Sequence, residues 1–144
     1  MQWTTIMIAL GALSTQAFGA AIDTRFNNDS PSLMKRVDFD HTEYFCHDGV
    51  VNGRKDQLRD GIDYLRSIGG TPEEAPNTCG RVSCSYNTAI YWCNNNDETH
   101  YLRSYATIAD GAQWLLDTCG GDGSPGGEVY TPDNWGVRVV VDAC

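Results

Sequence analysis

Six cysteines constrain this chain more than any other feature: Cys46, Cys79, Cys84, Cys93, Cys119 and Cys144, with three of them inside CGRVSCSYNTAIYWC at 79–93. An even count in a small domain reads as three disulfides, and six cysteines allow fifteen pairings. A structural zinc site is the competing reading. It fails on spacing, because there is no C-x2-C pair and His41, His47 and His100 fall in no finger-like grouping. Each disulfide is worth about 2–4 kcal/mol by restricting the unfolded chain, which matters for a domain with a modest core.

What precedes the first cysteine fits an oxidising destination. Residues 1–20 hold an apolar run, IMIALGAL, followed by small residues, and read as a signal peptide too short to cross a bilayer. Residues 21–36 are polar and aperiodic, and read as a leader. The leader ends in Lys35-Arg36, a dibasic processing site, and Asn28 begins its glycosylation sequon, Asn-Asp-Ser. Cleavage after Arg36 leaves residues 37–144 as a single disulfide-rich domain.

That domain is acidic. The chain has 19 Asp plus Glu and 10 Lys plus Arg. Removing Asp23 and Asp29 from the first count, and Arg25, Lys35 and Arg36 from the second, leaves 17 against 7, a formal charge of −10. Such a balance disfavours nucleic acid and anionic membranes, which are held by Lys and Arg clusters. No nucleic-acid partner, stable membrane anchoring, cofactor or metal is therefore expected.

The spacing of apolar residues orders the elements. Residues 37–46 mix β-branched and aromatic side chains with Asp and His, as in a partly exposed strand. Asn52 is positioned to cap a helix over 54–68, where Leu58, Ile62 and Leu65 make one apolar face and Gly69-Gly70 the stop. Strand-forming runs at 81–86 and 88–92, split by Asn87, predict a hairpin. Ser104 is placed to cap a second helix with a stripe of Ile108, Ala112, Leu115, Leu116 and Cys119, ending at Gly120-Gly121. Residues 135–142 form a last strand. Both helices carry a mid-helix glycine in the same setting, Asp60-Gly61-Ile62-Asp63-Tyr64-Leu65 and Asp110-Gly111-Ala112-Gln113-Trp114-Leu115. Such glycines cost about 1 kcal/mol each against alanine, so each helix is expected to approach the sheet or the other helix closely there. The fold class that follows is α+β, a two-layer α/β sandwich: a largely antiparallel sheet of about four strands with both helices on one face.

Chemistry is sparse. A ribonuclease-like set needs a base, an acid and a cation, and His41, Glu43 and His47 with Arg54 or Arg138 supply those residue types. The acidic balance opposes an RNA substrate. No nucleophile elbow or spaced calcium-loop carboxylates are present. Tyr86, Tyr91, Trp92, Trp114 and Trp135 divide between core packing and a platform for protein or glycan.

The course VSCSYNTAIYWCNNN, a Ser-started helix ending in Cys119, a Gly-rich loop and a final NWGVRVVVDAC resembles small cysteine-rich secreted proteins of filamentous fungi, many regarded as candidate effectors. It resembles, more distantly, the α/β-sandwich killer toxins of smut fungi. The resemblance spans 46–144 and rests on cysteine order with a few aromatic and glycine positions. It implies a secreted, extracellular, non-catalytic virulence or killer-toxin-like protein that binds a protein or glycan of a host plant or of competing microbes. It also implies the pairs Cys46 with Cys119, Cys79 with Cys93, and Cys84 with Cys144. Those toxins have more cysteines, and the basic residue they use has no clear counterpart here.

Overall fold

The hairpin at the centre of the cysteine-rich stretch turns on two residues rather than one. Tyr86 and Asn87 both take positive φ, 45° and 62°, the backbone that matches a two-residue turn to the right-handed twist of its strands. The computed structural model describes residues 37–39, 42–47, 54–120 and 126–144, all within one unit, Leu33–Cys144. The signal-peptide run, the leader with Asn28 and Lys35-Arg36, and His41 and Asn52 lie outside the described residues.

The element order is β1 (Glu43–Cys46), α1 (Lys55–Ser67), β2 (Glu73–Glu74), β3 (Thr78–Ser85), β4 (Thr88–Asn94), β5 (His100–Tyr101), α2 (Tyr105–Cys119), β6 (Gly127–Tyr130) and β7 (Trp135–Val141). One sheet runs β1-β6-β7-β4-β3 with every neighbouring pair antiparallel, and β2 and β5 form a second, two-stranded sheet. The α+β sandwich expected from the sequence is therefore present, with five strands in its main sheet where about four were expected. The additional strand is β6. The first strand is also shorter than 37–46, since among the described residues of that segment only Glu43–Cys46 pairs.

Register fixes which side faces the helices. Ile90 is opposite Val139 and Trp92 opposite Val137, so all four point to one side. A Cβ on Gly61 of α1 would meet Ser83 and Ile90, and one on Gly111 of α2 would meet Val137 and Phe39. Both helices thus lie on that same side, and both glycines serve close approach to the sheet, one of the two contacts their position implied. The core between the layers holds Leu58, Ile62 and Leu65 from α1, and Ile108, Ala112, Leu115 and Leu116 from α2. Ile90, Trp92, Val129, Val137 and Val139 meet them from the sheet. Burying each large apolar side chain contributes roughly 1.5–3 kcal/mol.

Helix ends differ from the expected caps. Arg54 occupies the N-cap of α1 and Ser104 that of α2, and neither side chain caps its helix. Gly70 takes a left-handed φ of 112°. Gly120, by contrast, has φ −78°, and its role is steric: a Cβ there would fall on the Leu116 carbonyl oxygen. The small sheet is held by Asn94, fully buried, whose Nδ2 donates to the carbonyls of Glu74, Ala75 and Glu98 at 3.1, 3.1 and 2.8 Å. A buried amide so completely partnered fixes two loops at once.

All six cysteines are bonded, as Cys46–Cys119, Cys79–Cys93 and Cys84–Cys144. These are the pairs implied by the resemblance to the killer toxins.

Candidate functional site

The sheet face turned away from the helices carries a network of charged and phenolic side chains. Alternation along each strand places Phe45, Glu128, Arg138, Tyr91 and Arg81 in one row across β1, β6, β7, β4 and β3. Within the row the side chains gather around two carboxylates. Glu128 accepts the Tyr130 hydroxyl at 2.8 Å and lies 3.2 Å from Arg138 Nε and 3.6 Å from His47 Nε2. Those two nitrogens sit at ion-pair distance without hydrogen-bond geometry. Asp142 accepts the Tyr91 hydroxyl and lies 3.3 Å from Arg81 Nη1, which also donates to the Ala143 carbonyl at 2.9 Å.

Both phenols are held in their neutral form by the carboxylates they donate to. Burial, then the hydrogen bond to Glu128 and its charge, pushes the Tyr130 phenol up to about 12. The Tyr91 hydrogen bond holds the Asp142 carboxyl below its usual value against the opposing effect of desolvation, and in return the Tyr91 phenol is raised. Asp142 is thus held in its charged form, and both phenols in their neutral form. A general base has to be free to accept a proton near neutral pH, and these carboxylates already hold donors.

The ribonuclease-like set is only partly assembled. His47 and Arg138 meet, both on Glu128. Glu43 stands opposite Tyr130 on the edge strand. Arg54 is separate, with its guanidinium 2.8 Å from Asp56 and its amide on Thr88 Oγ1. His41 lies outside the described residues. Among the described residues no group of three or more His, Cys, Asp or Glu side chains is placed to hold a metal, no cysteine is free, and no helix is long and apolar enough to cross a membrane.

The aromatic residues separate by face. Trp92 and Trp135 are buried in the core, Trp114 packs against it from α2, Tyr91 belongs to the outer row, and Tyr86 is exposed at the hairpin turn. Four further exposed aromatics were not singled out in the sequence: Tyr64 and Tyr101, and, on the strand expected to be partly exposed, Tyr44 at 49% and Phe45 at 62% exposure, neighbours on β1 that point to opposite faces. Tyr44 meets Trp114 edge-on, ring centres 5.0 Å apart, and the adjacent Cys46 is bonded to Cys119 at the end of α2.

Glu128 and Tyr130 also escaped the reading of the sequence. The signal was the alternation Gly-Glu-Val-Tyr at 127–130, in which Gly127 and Val129 are buried and Glu128 and Tyr130 are partly exposed. Comparison with protein-family models, curated proteins and solved structures finds no match to this chain.

Proposed function

We propose that this is a secreted, effector-like protein that acts without catalysis by binding a host plant target outside the cell. The observation that carries the reading is the exposed pair Tyr44 and Phe45 on an edge strand fastened by Cys46–Cys119. Exposed aromatics on a rigid support are the kind of side chain that anchors protein interfaces, because they bury large area at little cost in conformational freedom. Three disulfides fit an extracellular protein. The internal neutralisation of Glu128 and Asp142 supports binding over acid–base catalysis.

A second reading, antimicrobial or killer-toxin-like action on competing microbes, draws support from the disulfide pairing, which is the one that resemblance implies. The same protein separates the two. Disulfide-bonded protein is infiltrated into leaf tissue and added to cultures of competing fungi and bacteria, beside Phe45→Ala and a reduced, alkylated sample. The host-directed reading expects a leaf response that falls severalfold in Phe45→Ala, with microbial growth unchanged. Growth inhibition by the oxidised protein alone, with leaves unaffected, moves the function to the toxin-like reading. Cleavage of RNA that His47→Ala abolishes would instead make the protein a small ribonuclease.

A further inference from the structure

On the outer face of the main sheet, where the β6–β7 turn meets the end of β4, lies a cleft of about 460 Å³. Sites for small ligands run from roughly 300 to 1,000 Å³. Strand alternation puts Glu43 and Phe45 of β1 and Tyr130 of β6 on that face, Glu43 opposite Tyr130 and Phe45 its diagonal neighbour. Gly136 of β7 is the other residue opposite Tyr130, and it has no side chain. A Cβ there would strike the Tyr130 ring at Cδ1 and lie 2.7 Å from Cε1, so the ring lies down on the backbone of β7. Its far end is held as well. The hydroxyl donates to Glu128 at 2.8 Å, and Glu128 lies 3.2 Å from Arg138. A ring fixed at both ends loses little freedom when something stacks on it. With its proton committed to Glu128, Tyr130 offers the cleft its face rather than its hydroxyl.

Around the two rings stand planar polar side chains. Asn95 and Asn134 are exposed and line the cleft. Their backbones are tied, since the Asn95 amide donates to the Asn134 carbonyl at 2.8 Å, and Asn96 Nδ2 reaches the same carbonyl at 3.3 Å. Asn134 holds a φ of 55° in the turn, which asparagine tolerates better than most side chains. Each amide both donates and accepts, and the Glu43 carboxylate adds an acceptor. Among the described residues Glu43 is the one charged side chain lining the cleft, and no Lys or Arg lines it. An anion is therefore opposed by Glu43 and by the net charge of −9. A ligand that suits this lining has a C–H face to lay on the electron-rich side of an aromatic ring and hydroxyls at its rim for amides and carboxylate. Neutral pyranose units have both.

We infer that this cleft is a binding site for a neutral oligosaccharide, with sugar rings stacked on Tyr130 and Phe45 and their hydroxyls bonded to Asn95, Asn134 and Glu43. This deepens the binding reading above by making the target a glycan, and it rests on that reading.

The test titrates the disulfide-bonded protein by calorimetry with cellopentaose, laminaripentaose and chitopentaose, neutral fragments of plant and microbial walls, and with the anionic pentagalacturonate. Saturable binding of at least one neutral pentamer is expected, and none of the galacturonate. Cellopentaose alone marks a plant source, and laminaripentaose or chitopentaose alone a microbial one. Phe45→Ala and Tyr130→Leu should each weaken binding at least fivefold, and Asn95→Ala at least threefold. Tyr130→Phe, which keeps the ring, should stay within twofold of the parent, as should Tyr64→Ala, an exposed ring on α1. Intact disulfides in each variant, read by non-reducing mass spectrometry, separate loss of the site from loss of the fold. No binding of any neutral pentamer, binding of the galacturonate alone, or equal weakening in Tyr130→Phe and Tyr130→Leu overturns the site. A leaf response that persists when no neutral pentamer binds leaves the host-directed reading standing with a protein as its target, so the two proposals fail separately.

Discussion

The two helices carry the same pattern, Asp-Gly-x-x-x-Leu, at 60–65 and 110–115, yet the sheet receives them differently. Gly61 of α1 lies over the margin of the sheet, where an added methyl meets Ser83 Oγ at 2.9 Å and Ile90 Cδ1 at 3.1 Å. Gly111 of α2 lies over β7, the middle strand of the five, where the methyl meets Val137 Cγ2 at 2.7 Å and Phe39 Cζ at 3.2 Å. Ser83 is a rotatable side chain on an edge strand with a register shift beside it. Val137 is fully buried among packed neighbours. α2 is also bonded to β1 through Cys119, and α1 contains no cysteine. The same local sequence therefore yields one helix that is locked and one that can adjust. What it packs on decides which.

The largest test of that difference removes the covalent tie. Cys46→Ala with Cys119→Ala opens a link spanning 73 residues and should cost about 4 kcal/mol in urea unfolding. A loss below about 1 kcal/mol would mean that packing alone fixes α2. Next comes Gly111→Ala, expected to destabilise by about 1–3 kcal/mol because the core around Val137 has no room to give, despite the better helix propensity of alanine. Gly61→Ala should be milder, within about 1 kcal/mol of the parent in either direction, and stabilising once Ser83→Ala removes the obstructing hydroxyl. If the two glycine variants lose the same stability, the distinction between margin and centre is wrong. Smallest is the ion pair that joins the helices, Arg66 with Asp110, both side chains more than a third exposed. Arg66→Ala should cost less than about 1 kcal/mol, and nothing measurable in 1 M salt.

Much of this arrangement was legible because it depends on local periodicity. Leu58, Ile62 and Leu65 marked one helix face, Ile108, Ala112 and Leu115 the other, and all six are fully buried or nearly so. Glycines 61 and 111 announced close packing before their neighbours were known. β6 was hidden because four residues following a Gly-rich loop carry too short an alternation to stand out. β2 and β5, two residues each, exist through Asn94, whose contacts join positions up to 20 apart in sequence. The outer row is legible only after pairing. Phe45, Glu128, Arg138, Tyr91 and Arg81 are scattered along the chain, and it is strand register that sets them side by side. Half of the ribonuclease-like set met for that reason, and Arg54 stayed apart because its partner Asp56 lies two residues away in the first turn of its own helix.

The order in which the cysteines are joined has a consequence for a protein exposed to foreign proteases. The span from Cys46 to Cys119 overlaps the span from Cys84 to Cys144, so every peptide bond between Cys46 and Cys144 lies inside at least one closed ring. A single nick anywhere in that stretch releases no fragment, and the two pieces stay joined until a disulfide is reduced. A cut after Lys35-Arg36 falls outside every ring and frees all that precedes it. The same linkage pattern that lets a single cut after Arg36 free residues 1–36 makes dismantling of the domain a task of several.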